Sequence, residues 1–241
     1  MNQEPFVVAV VPVYNRLEKT LRFIKNFSYI KYLNKKIIIV DDNSTDGTAE
    51  IIRNKFPEVT VIDGSGDLWW SGGTNVAVKK ALEDGADYVL TINDDCIMDE
   101  NFLANMVNVA GEDNRYIVGC RLMFQDDTDR IWGLGATCYF RGWEMYQLNY
   151  GGMYWSKVKS ELSDDRIMKV DTMPGNGVLI SREVFERVGF YDEINMPQYH
   201  ADTDFVSRAK NSGYTPVIAA ESVIYNDIIT APLVQGLKAL I

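Results

Sequence analysis

Histidine and cysteine are both scarce in this 241-residue chain: His200 stands alone, and Cys96, Cys120 and Cys138 lie far apart with no C-x-x-C pair. An odd, scattered set gives no disulfide framework, and a reducing cytoplasm is the expected compartment. Long apolar runs are missing too. The run Phe6 to Val11 is only strand-length, far short of the roughly 20 residues that span a bilayer, and the N-terminus has no basic segment ahead of a long apolar core. Neither a transmembrane helix nor a signal peptide is expected. Lys/Arg-rich runs are also lacking, and 34 acidic against 24 basic residues leave a formal net charge of -10, which argues against a nucleic-acid partner. A small anionic ligand is then compatible only if something positive, such as a bound metal, offsets its charge. The first strand is not followed by G-x-G-x-x-G, which disfavours a dinucleotide-dependent oxidoreductase; Gly64-Ser-Gly66 comes after the third strand and lacks the last glycine. Nor is there a Gly-rich basic loop to grip a triphosphate, as a sugar-phosphate nucleotidyltransferase requires; Pro12-Val-Tyr-Asn15 fills that place.

What is present is apolar material, 46% of the chain, enough for one large α/β domain or two small ones. The first hundred residues alternate buried-strand runs with helical patterns. Phe6 to Val11 is a continuous apolar run, as a parallel sheet covered on both faces demands, and Ile37 to Val40, Val59 to Ile62 and Tyr88 to Ile92 read as the second, third and fourth strands. Between them, the spacing predicts a helix capped by Asn15 and carrying Leu17, Leu21 and Ile24, and a second from about Ser44 or Thr45 that stops before Pro57. A glycine-rich loop, Gly64 to Gly73, leads into a third helix with Ala77, Val78, Ala81 and Leu82, and Asp99 can cap a fourth ending before Gly111. The second half is less regular: a strand over 117–124, an aromatic-rich stretch of hairpins or loop over 126–166 that includes Trp132, Trp143 and Trp155, and a strand over 170–180 interrupted by Pro-Gly-Asn-Gly. A short helix from Ser181 to Val188, a helix from about Asp202 to Gly213 and a strand over 216–225 follow. The expectation is a single domain over 1–241, a mostly parallel central sheet flanked by helices, with ligands beyond the carboxyl ends of the strands.

Four segments fall at that edge. In Val11-Pro-Val-Tyr-Asn-Arg16, Tyr14 can stack on a base and Asn15 can meet polar groups of a nucleoside, or cap a helix. In Asp41-Asp-Asn-Ser-Thr-Asp46, a carboxylate can accept from a ribose hydroxyl or a pyrimidine N–H, or serve helix capping. In Asn93-Asp-Asp95, adjacent acids call for a neutralising partner, which a hard divalent cation with a diphosphate would supply; a solvated acidic turn is the other reading. In His200-Ala-Asp-Thr-Asp204, residues two apart on a helix point about 200° apart, so only one acid faces a given pocket, and Asp202 is the candidate. His200 reads as an acceptor contact or packing rather than a catalyst.

Taken in order, VVPVYNR, VDDNSTDGT, the NDD turn, PGNGVLISREVFERVGFYDE and HADTDF resemble family 2 inverting glycosyltransferases of the GT-A fold, over residues 6 to about 226. GDLWWSGGTN at 66–75 is similar to bacterial rhamnosyltransferase-like members, which often use dTDP- or UDP-sugars. The resemblance implies a nucleotide-sugar-binding half (1–111) and an acceptor-binding, catalytic half (112–241) with a smaller β region. It implies donor contacts from Pro12, Tyr14, Asn15, Asp41, Asp42, Gly72 and Asp94. It implies acceptor contacts from Trp70, Gly175, Asn176, Gly177 and His200, and Asp202 as general base. Asp95 and Asp227 would hold a divalent cation, Mn2+ or Mg2+. Asn93 stands where the family's metal motif has its first acid, Ala201 replaces the usual Glu beside the base, and Asn226 or Asp227 stands near the place of a metal-binding His. These departures leave open a non-catalytic, ligand-binding relic of the fold. The expected partners are a nucleotide-sugar donor and a glycan or lipid-linked glycan acceptor in bacterial polysaccharide or glycan synthesis. The expected location is cytoplasmic, or peripheral on the inner face of the membrane, because Leu233 to Ile241 reads as a truncated helix that packs on the domain, a partner or a membrane surface.

Overall fold

The computed structural model describes residues 4–141, 144–162 and 166–227. Trp143 and the helix expected at 233–241 lie outside the described residues. Strands and helices alternate through the first half: β1 (Val7–Val13), α1 (Leu17–Ser28), β2 (Lys35–Asp41), α2 (Thr48–Lys55), β3 (Thr60–Asp63), α3 (Trp69–Glu83) and β4 (Tyr88–Thr91). Then come β5 (Cys96–Met98), α4 (Phe102–Ala110), β6 (Tyr116–Phe124), β7 (Ile131–Gly133), β8 (Ala136–Arg141), β9 (Glu144–Leu148) and α5 (Trp155–Glu161). The chain continues through β10 (Ile167–Lys169), β11 (Val178–Ser181), α6 (Arg182–Val188), α7 (Ala201–Asn211) and β12 (Thr215–Asn226). Among the described residues, no helix is long and apolar enough to cross a membrane.

The main sheet runs β10-β12-β6-β11-β4-β1-β2-β3, with β5 on β12 and β7 on β6, while β8 and β9 form a separate hairpin. β1 is parallel to both β2 and β4, so the chain winds outward to β3 and then crosses back to the other side of β1. The gap between the ends of β1 and β4 is therefore a topological switch point, where loops splay apart and leave a crevice. β11 is antiparallel to both β4 and β6, and that reversal brings the loop before β11, not the one after it, to the same crevice.

Both faces of the sheet are covered. Val7, Ala9 and Val11 point to one face, where they meet Phe23, Ile24 and Phe27 of α1, Ile52 of α2 and Phe102, Leu103 and Met106 of α4. Val8 and Val10 point to the other, against Ala77, Val78 and Ala81 of α3 and Phe185 and Phe205 of α6 and α7. Period-two alternation with both sets apolar explains why β1 reads as an unbroken hydrophobic run.

Three expected boundaries move. α3 starts at Trp69, not after Gly73, and the two glycines lie inside it: a Cβ on Gly73 would sit 2.9 Å from Pro12 Cβ, so only glycine lets the helix press on the end of β1. α2 starts at Thr48 rather than at Ser44 or Thr45, because Asp46 folds back to accept the Thr48 N–H. Of the strand expected over 170–180 only β11 forms, from Val178, after a loop that follows β10, and β5 is too short to have shown any period.

Candidate active site

Two adjoining cavities open at the carboxyl edge of the sheet and share Trp70, Asn93 and Gln198 as a common wall. The first, about 490 Å³, is lined by residues that include Pro12, Tyr14, Arg16, Asp42, Trp69 and Asp94. The second, about 500 Å³, is lined by residues that include Asp95, Gly175, Asn176, His200, Asp202 and Asn226. Asp42, Asp95 and Asp202, remote in sequence, thus belong to one two-lobed cleft.

The loops after β1 and β2 build the first lobe. Asn15 turns the chain at φ 50°, its N–H donates to Ser44 Oγ at 2.8 Å, and its Oδ1 accepts the Thr45 N–H at 2.7 Å. Asp46 accepts the Leu17 N–H at 3.0 Å with one oxygen and the Thr48 N–H at 3.1 Å with the other, so a single carboxylate caps the first turns of α1 and α2. Asn15 therefore joins two loops and does not line the cleft, contrary to its expected place among the donor contacts. Asp41 does not reach the cleft either: it is buried, and its Oδ1 accepts the Ser44 N–H at 2.9 Å. Strand alternation sends Asp41 inward and leaves Asp42 for the lobe.

Asp42 lines the lobe with its carboxylate already engaged. It accepts N–H groups of Gly66 at 2.7 Å, Leu68 at 3.0 Å and Trp69 at 3.2 Å. It thereby shapes the 64–69 loop and holds Trp69 at φ 55°, an unusual conformation for a bulky residue. Tyr14 and Trp69, 57% and 58% exposed, present aromatic surface on this lobe. Gly72 does not line it. It is buried in α3, where a Cβ would meet Leu68.

Trp70 forms the waist. Its indole N–H donates to Asn93 Oδ1 at 3.1 Å, its backbone N–H donates to Gln198 Oε1 at 3.2 Å, and its ring stands edge-on to Tyr191 with centroids 5.2 Å apart. The Asn93 N–H donates to Asn176 Oδ1 at 2.9 Å, and Asn176 Nδ2 donates to Asn226 Oδ1 at 2.8 Å. A chain of neutral amides thus crosses the floor between the lobes.

The second lobe centres on the start of α7. Asp202 Oδ2 accepts the Gly175 N–H at 2.8 Å and Oδ1 accepts the Thr203 N–H at 2.8 Å, which fixes the carboxylate against the wall. Asp204 points away and pairs with Arg208 Nε at 2.8 Å. His200, at φ 66°, lines the same lobe. Gly177 does not. Its φ is 76°, and the space a Cβ would need is filled by Ile224 and Cys120, so it shapes the turn from beneath.

The acidic turn lies where the lobes meet. Asp94 is buried, accepts the Thr20 hydroxyl at 2.8 Å and lies 2.9 Å from Arg16 Nε; Asp95 lies 2.7 Å from Arg16 Nη2. Burial pushes the Asp94 carboxyl above its ordinary pKa, against the pull of Arg16 and Thr20. Burial alone would lower the Arg16 guanidinium, but Asp94, Asp95 and Asp227 outweigh it and hold it above its usual value. Asp227 touches Asp95 only through its backbone, donating its N–H to the Asp95 carbonyl at 2.9 Å. Its carboxylate turns to Lys19 at 3.4 Å and Arg22 at 3.3 Å and lines neither lobe, because the adjacent face of α1 is cationic. Arg16 is the residue that sequence reasoning passed over. The signal was a cation placed directly after Tyr14-Asn15 in a chain whose cleft is otherwise acidic.

A family model described as glycosyl transferase family 2 matches residues 8–189. In sequence, the glycosyltransferase AglJ of Haloferax volcanii is 28% identical over 117 residues, 48% of this chain and 36% of that protein. In structure, GalNAc-T7 with UDP, GalNAc and Mn2+ superposes with a TM-score of 0.73 at 14% identity, over 94% of this chain and 44% of that one. The mannosyltransferase PcManGT from Pyrobaculum calidifontis, in complex with GDP-Man and Mn2+, gives 0.62 at 18% identity, over 95% of this chain and 59% of that one. This chain therefore spans between 36% and 59% of the lengths of these relatives. At such identities the structural likeness speaks for the fold, which is the GT-A arrangement of a large mixed sheet flanked by helices. The family match runs from the second residue of β1 to the glycine that ends α6, across the switch point and most of the cleft, and the chain belongs to glycosyl transferase family 2.

Proposed function

We propose that this chain transfers a sugar from a nucleoside-diphosphate sugar, UDP- or dTDP-linked, to a hydroxyl of a glycan or lipid-linked glycan, with inversion. The observation that carries the reading is the two-lobed cleft itself: aromatic surface at one end, a fixed carboxylate at the other, and an acidic turn between them. In this reading Tyr14 and Trp69 flank the base, and Asp42 keeps the loop beside it in shape. Asp202, its two oxygens oriented by backbone N–H groups, takes the proton of the acceptor hydroxyl as that oxygen attacks the anomeric carbon. Attack from the opposite lobe to the leaving diphosphate gives inversion in a single displacement. Trp70, touching both lobes, sets the position of the sugar between them.

The acidic turn fits a divalent cation, Mn2+ or Mg2+, shared with the donor. Asp94 and Asp95 already converge on one positive group, the Arg16 guanidinium, so their oxygens suit a cation. Among the described residues no cluster of three or more His, Cys, Asp or Glu side chains can hold a metal by itself. Such a donor set suits an ion that completes its shell with phosphate oxygens and water. Asp95 would be the principal protein ligand, with Asn226 beside it, and the ion would stabilise charge on the departing nucleoside diphosphate. The complexes of GalNAc-T7 with UDP and Mn2+ and of PcManGT with GDP-Man and Mn2+ support this reading.

The test is calorimetric titration of UDP, dTDP and GDP with Mn2+, repeated in EDTA, followed by measurement of nucleoside diphosphate released from a panel of sugar donors. At least one nucleotide should bind with Mn2+ and lose affinity in EDTA. Failure of all three to bind would favour a relic of the fold without a donor site.

A further inference from the structure

The Arg16 guanidinium occupies the position that a cation shared between Asp94 and Asp95 would take. Its Nη2 is 2.7 Å from Asp95, while its Nε lies within 2.9 Å of Asp94 without an aligned hydrogen bond. The side chain is 36% exposed, lines the first lobe and leaves the backbone at the residue preceding α1, so it is not locked inside a packed core. One and two turns further along α1, Lys19 and Arg22 face Asp227. Cations and carboxylates are therefore balanced here, three against three, before any ligand arrives.

That balance opposes a lone metal ion. A divalent cation seated between Asp94 and Asp95 displaces Arg16, and the displaced guanidinium has lost its partners in a cleft that is then two charges too positive. A diphosphate reverses both penalties, because it offsets the excess charge and offers oxygens that match the planar fork of arginine. The reverse order is also penalised: a diphosphate that draws Arg16 away leaves buried Asp94 with the Thr20 hydroxyl and the more distant charge of Lys19, unless a metal takes the vacated place.

We propose that Arg16 is an exchange cation: it neutralises Asp94 and Asp95 in the free protein and moves to the diphosphate when a divalent cation takes Asp95. Metal and nucleoside diphosphate then bind cooperatively, each tightening the other by the same factor. The inference rests on the donor reading above, which already links metal and nucleotide, and adds Arg16 as a residue that strengthens that link.

The experiment measures Mn2+ affinity by titration without and with saturating UDP, or with dTDP or GDP where that is the nucleotide that binds. Wild-type protein, Arg16→Met and Arg16→Lys are compared, with folding of each checked by circular dichroism. Wild-type protein should bind Mn2+ weakly alone and about 10-fold or more tightly with nucleotide. Arg16→Met should bind Mn2+ alone more tightly than wild type, and the gain on adding nucleotide should fall about threefold or more below that of wild type, leaving what the shared phosphate oxygens supply. Arg16→Lys keeps the charge but cannot bridge two carboxylates, so its coupling should fall between the two. Wild-type coupling in Arg16→Met, or weaker Mn2+ binding by that variant alone, overturns the proposal; if Arg16→Met does not fold, wild-type coupling in Arg16→Lys does the same. Failure of every nucleotide to bind wild-type protein with Mn2+ instead removes the donor reading, a result distinct from binding without coupling.

Discussion

Gly175 offers a test of the cleft that needs no substrate. A Cβ added there would lie 2.8 and 2.9 Å from two carbons at the far edge of the Trp70 indole and 3.0 Å from Asp202 Cβ. Gly175 has no left-handed φ, so an alanine is not strained by its own backbone; the cost comes from contact. Reaching ordinary separation requires Trp70 to move by roughly 0.5 Å. The indole is held by its hydrogen bond to Asn93 and its edge contact with Tyr191, so it cannot yield freely. Overpacking of this kind costs about 1–3 kcal/mol, which for a chain of this size lowers Tm by roughly 2–12 °C. Thermal unfolding followed by circular dichroism measures it. The decisive comparison is Gly175→Ala in a Trp70→Phe background, where the clashing ring edge is absent: the alanine should there cost less than half as much. Equal cost in both backgrounds, or no cost in either, would show that Trp70 does not press on Gly175 and that the waist between the lobes is drawn wrongly.

Asp202→Asn keeps the shape of the side chain but removes the base; transfer should fall about 1,000-fold while nucleotide affinity stays within about twofold, and retention of most turnover would refute the assignment. Asp42→Asn replaces an acceptor by a donor opposite the N–H groups of Gly66, Leu68 and Trp69; nucleotide affinity by calorimetry should fall about 10-fold, in line with an unsatisfied buried group. Asp46→Ala removes the shared cap of α1 and α2 and should cost about 0.5–2 kcal/mol in urea unfolding at neutral pH. Although partial burial works the other way, the Thr48 hydroxyl and the Leu17 and Thr48 N–H groups hold the Asp46 pKa below its ordinary value. The contribution of Asp46 is therefore complete above the unfolded-state pKa of about 3.9 and fades as pH falls through the lower folded value, so wild type and Asp46→Ala should converge in stability in acid.

The elements legible in the sequence are those whose pattern is set by burial alone. β1 and β2 are covered on both faces, and their runs of Val and Ile announce that directly. Elements decided by tertiary contact were not legible. Gly72 and Gly73 look like loop residues, yet they lie in α3 because Pro12 leaves no room for a side chain at Gly73. In the cleft, the motif order brought Asp42, Asp95 and Asp202 to one place, but it did not separate neighbours: Asp41 and Asp42 differ by one residue and face opposite ways. Asp227 has the right chemistry and the right backbone neighbour, and only the cations of α1 turn its carboxylate aside. Arg16 was hidden for a related reason, since its role depends on two acids 78 and 79 positions away.

The reversed strand β11 divides the labour of the fold. Between the end of β6 and the start of β11, the chain makes a long detour through β7, the β8–β9 hairpin, α5 and β10, then returns to the very edge it left. β11 takes its register from β4 and β6, and within the detour the β8–β9 hairpin forms a sheet of its own. In the proposed reading this detour lies on the acceptor side, while the turns after β1, β2 and β4 serve the donor. If that reading holds, exchanging the β8–β9 hairpin and α5 between family members, with β7 and β10 kept in the sheet, should change the acceptor and leave nucleotide affinity as it is.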